Sequence, residues 1–424
     1  MSLLRTSLLN GISVLMKVLS ALALNKILAI YVGPSGYAVI GQLQNAVAIA
    51  SNVAGGAIAT GVTRATAQHF DDSVHRQAVW RTATRITLLA SAITAFGLIL
   101  FHEPIAERVL QRQGMMDVIL WLALAVPAVA FNNLLLAILN GKKEVRLYVI
   151  SNIAGSVIGL LIAAGMTVSF GLHGAFVAFV LSPAAVLLVT ALLVTRKTDI
   201  NLGDLFGKFD RQAARGLASY GLMGLTTAIA APASIMAIRE ILSATLGLEA
   251  AGYWQASWKI SEIYLMLITT TLSVYYLPRL AEIRTPRELN AEILKVYKFV
   301  LPVALLCACT IYALRDFIIL TLFTRDFSPM RDLFFWQLLG DAIKIGSWIP
   351  AYIMLGRGMA KVFVISEVSF ALTQVLFTSV LVRIFGLVGA PMAYAANYVL
   401  YWIFAALLLR WESRKMGLAV STAV

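Results

Sequence analysis

Phe170-Gly171-Leu172-His173-Gly174-Ala175 returns, about 215 residues later, as Phe385-Gly386-Leu387-Val388-Gly389-Ala390. Other pairs share that offset. Val149-Ile150-Ser151-Asn152 matches Val364-Ile365-Ser366-Glu367, Trp121 matches Trp336, and Gly141-Lys142 matches Gly356-Arg357. At nearly the same offset, Lys26-Ile27-Leu28 with Gly33 and Gly36-Tyr37 is echoed by Glu240-Ile241-Leu242 with Gly247 and Gly252-Tyr253. Repeated matches at one spacing indicate a duplicated chain. In membrane transporters such halves face each other across an axis and hold the substrate between them.

The repeated halves are strongly apolar. Of the 424 residues, 60% are hydrophobic and 13% charged, and mean hydropathy is +0.84. Soluble proteins carry about 25% charged residues. Runs near the roughly 20 residues that a membrane-crossing helix needs number twelve: 7–32, 37–63, 82–101, 117–140, 147–169, 175–195, 216–243, 252–278, 293–314, 331–355, 362–384 and 388–410. They leave no room for a soluble nucleotide-binding or catalytic domain. Helices are expected throughout, because lipid offers no partner to an open sheet edge. The predicted fold class is an all-α integral membrane protein of about twelve transmembrane helices in two pseudo-two-fold-related six-helix bundles. The bundles are expected at residues 1–195 and 216–424, joined by a basic cytoplasmic linker at 196–215. An even number of spans in each half makes the repeats parallel.

The net charge of +13 would suit nucleic acid, but its placement argues against that partner. With the amino terminus in the cytoplasm, the cytoplasmic segments hold 21 Lys and Arg and the opposite segments 6. Such a bias sets orientation and puts both termini in the cytoplasm. Lys17 and Asn25-Lys26 interrupt the first run, which reads as a span and not as a cleaved leader. Cys307 and Cys309 fall on different faces of one helix and cannot bond to each other. The four histidines lie in loops or at helix ends, so no metal, cofactor or catalytic residue is expected, and the chain is not read as an enzyme.

Charge at membrane depth costs roughly 2.5–3.5 kcal/mol per residue at a helix centre and usually faces a cavity or a partner. In the first run Asn10, Ser13, Lys17 and Ser20 share a face, with Lys17 near mid-membrane. Lys26 lies near the outer interface, where snorkelling to headgroups is the competing reading. In the second run Gln42, Asn45, Asn52 and Thr63 share a face that ends at Arg64. Interhelical hydrogen bonding competes as a role for the amides, and anchoring the topology competes for Arg64. Gln255, Lys259 and Glu262 line the eighth run. Gln337, Asp341, Lys344 and Trp348 line the tenth, and Glu367 and Gln374 the eleventh. Asp341 and Lys344 are three apart and could pair. Arg239 sits near the outer end of the seventh. The intramembrane excess is positive, which suits an anion such as a phosphate. On this basis Lys17, Lys26, Arg64, Arg239, Lys259, Lys344, Asn45 and Asn52 are candidate substrate contacts. Glu262, Asp341 and Glu367 are candidate coupling or ion-pair groups. Trp254, Trp258 and Tyr264 could line the path of a sugar, with an interfacial belt as the alternative.

Phe327-Ser328-Pro329-Met330-Arg331-Asp332-Leu333-Phe334, Trp336-Gln337-Leu338, Gly340-Asp341, Lys344-Ile345-Gly346 and Glu367-Val368-Ser369 form a recognisable pattern. Lys17, Lys26, Gly33-Pro34, Gly61-Val62-Thr63, Tyr275 and Leu277-Pro278 continue it. Over nearly its whole length the chain resembles the Wzx-type flippases of lipid-linked oligosaccharides, in the multidrug/oligosaccharidyl-lipid/polysaccharide exporter superfamily. It is most similar to the branch that flips O-antigen units and lipid III. Glu240 departs from that branch, which carries a basic residue there, and Arg64 stands in place of Lys. The resemblance implies a V-shaped pair of bundles, alternating access and an undecaprenyl-pyrophosphate oligosaccharide as substrate, moved outward across a bacterial inner membrane. It also implies the lipid bilayer, a polysaccharide polymerase and a chain-length regulator as partners, and no nucleic acid. The rival reading is a cation-coupled multidrug antiporter of the same superfamily, which would want a net acidic cavity.

Lys17→Ala is expected to lower surface glycan sharply while the protein still reaches the membrane. Normal glycan display on cells carrying that variant would remove Lys17 from the site.

Overall fold

The structure, a computed structural model, describes residues 3–421 apart from 112–114, 199, 277–278, 281–282 and 284. Leu277 and Pro278 of the recognisable pattern therefore lie outside the described residues, as does the side chain of Asn10, and so do some of the Lys and Arg counted by side (Arg112 and Arg284) and Asp199 of the expected linker. Every regular element among the described residues is helical. In chain order they are α1 (Leu3–Tyr31), α2 (Gly33–Val53), α3 (Ala59–Gln68), α4 (Ser73–Leu100), α5 (His102–Leu110), α6 (Met116–Gly141) and α7 (Val145–Lys197). Then follow α8 (Arg211–Leu246), α9 (Leu248–Thr271), α10 (Pro286–Ala313), α11 (Arg315–Leu322), α12 (Phe334–Gly356), α13 (Ala360–Phe385) and α14 (Gly389–Ser421). Short 3-10 turns and one π-helical turn, Leu272–Tyr276, punctuate them.

Among the described residues, eight helical segments are long and apolar enough to cross a membrane, and the bent pair α2 and α3 adds a ninth. Two of the eight hold two runs each, broken at Gly171 within α7 and at Gly386 between α13 and α14. α9 falls short of that apolarity because Glu249, Lys259 and Glu262 interrupt it. With α9 included, the helices are consistent with the twelve runs expected, and the chain is a multi-pass membrane protein.

The repeat is also written in the backbone. Gly171 has φ 58° and ψ −137°, and its counterpart Gly386 has φ 61° and ψ −142°. That region is essentially restricted to glycine. Three residues on, the next helix starts so close to the previous one that side chains do not fit. A Cβ on Gly174 would lie 2.0 Å from the Met166 carbonyl oxygen, and one on Gly389 2.2 Å from that of Leu381. Lys143 at φ 60° and Gly358 at φ 65° form a further pair at the same offset. The second run of each half is irregular at its inner part. α2 and α3 bend by 64° around Gly55, and α9 passes into the π-helical turn.

The chain divides into two compact units, Met1–Ala233 and Ser234–Val424. The division falls inside α8, beyond the stretch expected as a linker. Described residues of that stretch pack on the first unit. Ile200 and Leu205 are buried in a cluster with Ile58, Val62, Trp80 and Ile138, and Leu217 at the start of α8 joins it. The Arg81 side chain donates to the Asp204 carbonyl at 3.3 Å, and the Asp210 amide donates to Thr82 Oγ1 at 3.0 Å. Asp72 caps α4, accepting from the amides of Val74 at 3.1 Å and His75 at 3.0 Å. The His75 amide, aided by the His75 ring, holds the Asp72 carboxyl below its usual range.

In the second unit the core gathers Leu265, Tyr276, Leu289, Val296, Ile345, Ile349 and Tyr401. Tyr276 Oη donates to the Ile349 carbonyl at 3.0 Å, and Tyr297 Oη to that of Gly346 at 2.6 Å. α12 and α14 run alongside each other in the same direction. Gly340 faces Tyr394 and Gly346 faces Trp402, each too close for a Cβ. This intimate contact carries aromatic side chains of α14 onto the polar face of α12.

Gly386→Ala is expected to cost about 1–3 kcal/mol, the usual range for a non-glycine residue in a sparsely populated conformation. Gly389→Ala should cost more, because its clash is with rigid backbone. Thermal unfolding in detergent checks both, and a transition unchanged in either variant would contradict the repeated-turn account.

Candidate functional site

The spacing of Gln337, Asp341, Lys344 and Trp348 places them along one face of α12. The polar face of α9 meets it. Asp341 is fully buried, at 0% exposure. Its carboxylate accepts from Ser261 Oγ at 2.5 Å and Tyr264 Oη at 2.9 Å, both on α9, and from Tyr394 Oη at 2.9 Å on α14. An unpaired carboxylate in such surroundings is costly. Three hydroxyl donors offset that cost, and hydrogen bonds to an ionised acceptor are the strong ones.

Lys344 lies one turn further along α12. It does not form the expected direct ion pair with Asp341. Its Nζ is 4.9 Å from the ring centroid of Trp348, 5.2 Å from Tyr398, and 5.5 Å from both Trp258 and Tyr394. The rings also pack on one another, Trp258 edge-on to Tyr394 at 5.2 Å and Tyr394 to Tyr398 at 5.0 Å. Ring faces attract a cation electrostatically, by about 2 kcal/mol or more where water is excluded. The cage is an environment that favours an ammonium without a carboxylate bonded to it.

The other predicted residues are placed as follows. Lys259 pairs with Glu262 on the same helix at 2.6 Å, and Glu262 is exposed. Glu367 is half-buried on α13. Arg239, expected as a substrate contact, is 3% exposed, and its Nη2 donates to Gln255 Oε1 at 2.5 Å beside Trp254. Its position is that of a packing group, because a long side chain on α8 can fold inward onto α9 instead of reaching the headgroups. In the first unit Lys17 and Arg64 are exposed and Lys26 and Asn45 half-buried. Asn52 donates back to the Ala48 carbonyl at 2.8 Å, a local bond within its own helix. The structure therefore brings together Asp341 and Lys344 with Trp258, Tyr264 and Trp348. Gln337 is 1% exposed on the same face, and neither end of its amide finds a hydrogen-bond partner.

The sequence reading missed Ser261, Tyr394 and Tyr398. A signal for the tyrosines exists: Tyr394, Tyr398 and Tyr401 recur at helical spacing in the last apolar run. The first unit does not repeat the site's residues. The repeat counterparts of Asp341, Tyr394 and Tyr398 are Val126, Phe179 and Pro183.

A family model described as "Polysaccharide biosynthesis protein" matches residues 12–332. The lipid III flippase of Escherichia coli (strain K12) is 32% identical over 418 residues, covering 98% of this chain and 100% of that protein. The lipid III flippase of Shigella flexneri matches with the same identity and coverage. Among solved structures, the inward-facing conformation of a multidrug resistance MATE family transporter of the MOP superfamily superposes with a TM-score of 0.79. It is 17% identical and covers 95% of both chains. A MOP superfamily transporter from Pyrococcus furiosus, whose binding pocket is described as reversed in polarity, gives a TM-score of 0.67 at 15% identity over 96% of each chain. At these identities the structural likeness shows the fold alone.

Asp341→Ala leaves three buried hydroxyls without their acceptor and opens a cavity. A loss of about 3 kcal/mol or more in stability is expected, read as a lowered unfolding transition in detergent. An unchanged transition would mean that the carboxylate is not the hub of this site.

Proposed function

The chain belongs to the polysaccharide biosynthesis protein family, and from that premise we propose that it is a flippase. Its substrate is an undecaprenyl-pyrophosphate-linked oligosaccharide, an O-antigen repeat unit or a similar glycan, moved from the cytoplasmic to the periplasmic leaflet of a bacterial inner membrane. Full-length identity to lipid III flippases supports this reading, and so does a fold shared with membrane transporters. The observation that carries it at the level of chemistry is Lys344. This lysine sits in an aromatic cage deep in an apolar helix bundle, with no carboxylate bonded to it among the described residues.

Glycan and pyrophosphate cannot enter hydrocarbon unaided, because their polar groups lose hydration there. A fixed ammonium replaces part of the hydration of a pyrophosphate, while the lipid tail stays in the bilayer. The surrounding Trp and Tyr faces suit the apolar faces of sugar rings. Lys259, tied to the exposed Glu262, is a second cation that a headgroup can draw away from its partner. Lys17, exposed on α1, is a separate proposed contact of the first unit.

The protein acts as a transporter and not as an enzyme. The 21-to-6 distribution of Lys and Arg supports cytoplasmic termini. A polysaccharide polymerase and a chain-length regulator are the partners that would act on the delivered product. The multidrug fold neighbours do not alter this reading. Asp341, the most buried carboxylate of the site, is engaged by three hydroxyls, and the lysine beside it suits an anion better than a cation. Outward movement of an anion is favoured by an inside-negative potential, by about 2.3 kcal/mol per charge per 100 mV.

The test is reconstitution in vesicles with a labelled undecaprenyl-pyrophosphate oligosaccharide, scored for transfer between leaflets with and without an imposed potential. Protein-dependent transfer, faster with the potential negative on the cytoplasmic side and strongly slowed by Lys344→Met, is the expected result. Transfer no faster than in empty vesicles would overturn the proposal.

A further inference from the structure

Tyr394 belongs to two groups at once. Its hydroxyl donates to Asp341 Oδ1 at 2.9 Å, and its ring centroid lies 5.5 Å from Lys344 Nζ. The other Asp341 oxygen is occupied from the opposite side by Ser261 and Tyr264 of α9. That helix also supplies Trp258 to the cage. One carboxylate on α12 therefore ties together α9 and α14, the two neighbouring helices that carry cage rings. Trp348, the remaining ring, rides on α12 itself, one turn beyond Lys344.

A lysine this deep in apolar surroundings has two ways to keep its charge: a carboxylate partner or polarisable rings. Here the nearest carboxylate in sequence is spent on hydroxyls. This division of labour matters for anion binding. A lysine in a tight ion pair must first lose its partner before it meets a phosphate. A lysine held by rings exposes the full charge at once, provided the rings stay in place.

We propose that Asp341 is a positioning residue for Lys344. By accepting the three hydroxyls it fixes the faces of Tyr394 and Trp258 against Lys344, and so presents the lysine to an anion without a carboxylate bonded to it. Asp341 makes no direct ion pair with the lysine and acts on it through the hydroxyls it accepts. The proposal deepens the flippase reading and rests on it for the identity of the anion, a lipid-linked pyrophosphate. The cage itself can be tested without that reading.

The test uses the full-length protein in lipid nanodiscs and measures two properties. The first is the rate at which a small amine-acetylating reagent modifies Lys344, followed by mass spectrometry, with the exposed Lys361 as internal control. The second is affinity for farnesyl pyrophosphate. In the unaltered protein Lys344 should react slowly. Tyr394→Phe keeps the ring and removes only the tie to Asp341. Asp341→Asn keeps the shape and weakens the acceptor. Both should speed acetylation of Lys344 by roughly tenfold, the equivalent of about 1.4 kcal/mol of lost cage contact. Lys361 should not change. Farnesyl pyrophosphate should bind roughly tenfold more weakly to both variants. In vesicles the loss should fall on KM more than on kcat.

If Tyr394→Phe unfolds less readily than Asp341→Asn but leaves Lys344 acetylation at the parental rate, the positioning role is overturned. It is overturned equally if Asp341→Asn binds farnesyl pyrophosphate more tightly, as expected were the carboxylate neutralising the lysine. If acetylation rises as stated while Lys344→Met binds farnesyl pyrophosphate normally, the cage stands and the anion-binding reading of Lys344 falls.

Discussion

A carboxylate buried at 0% exposure among membrane helices is the constraint on which the second unit is organised. In hydrocarbon no solvent rescues an unmet polar group, so a buried Asp dictates what surrounds it. Ser261 and Tyr264 must come from one helix and Tyr394 from another, and the helices that bring them are locked at close range. Gly340 and Gly346 permit that approach by offering bare backbone to Tyr394 and Trp402. The aromatic packing, the lodging of Lys344 and the absence of a direct lysine–aspartate pair all follow from one satisfied anion.

The duplication makes the asymmetry informative. The two halves keep the same backbone devices: the left-handed glycines, the clash-tight helix starts, the irregular second run. They differ where chemistry is placed. Val126, Phe179 and Pro183 occupy in the first half the positions that Asp341, Tyr394 and Tyr398 hold in the second. Backbone geometry resists change because no side chain can substitute for it. Side chains are free to diverge once the scaffold exists, so one copy could become a site while its twin stayed apolar.

Much of this was legible in the sequence. Apolar run length is dictated by membrane thickness, and the twelve runs fall on helices among the described residues. The FGLxGA repeat marked the duplication, and the structure shows that its first glycine carries a sharp turn in each half. The polar face of α12 was visible in the spacing of Gln337, Asp341, Lys344 and Trp348. Partners across helices were not. A spacing of three suggested that Asp341 and Lys344 would pair, yet hydroxyls from α9 and α14 reach the carboxylate first. Arg239, read as a candidate substrate contact, folds onto Gln255. The stretch 196–215 looked like a tether by composition, but Ile200 and Leu205 bury themselves against the first unit. Each miss concerns tertiary contact, which periodicity along one helix does not encode.

The abrupt reversals at Gly171 and Gly386 close one end of each unit to elaboration. Helices that touch within three residues of the turn leave no slack for extra chain. An epitope, a glycan acceptor or a protease site inserted there would have to pry apart two rods already in van der Waals contact. Reporter groups for accessibility or fluorescence work belong instead at the exposed Asp71, ahead of the Asp72 cap that starts α4.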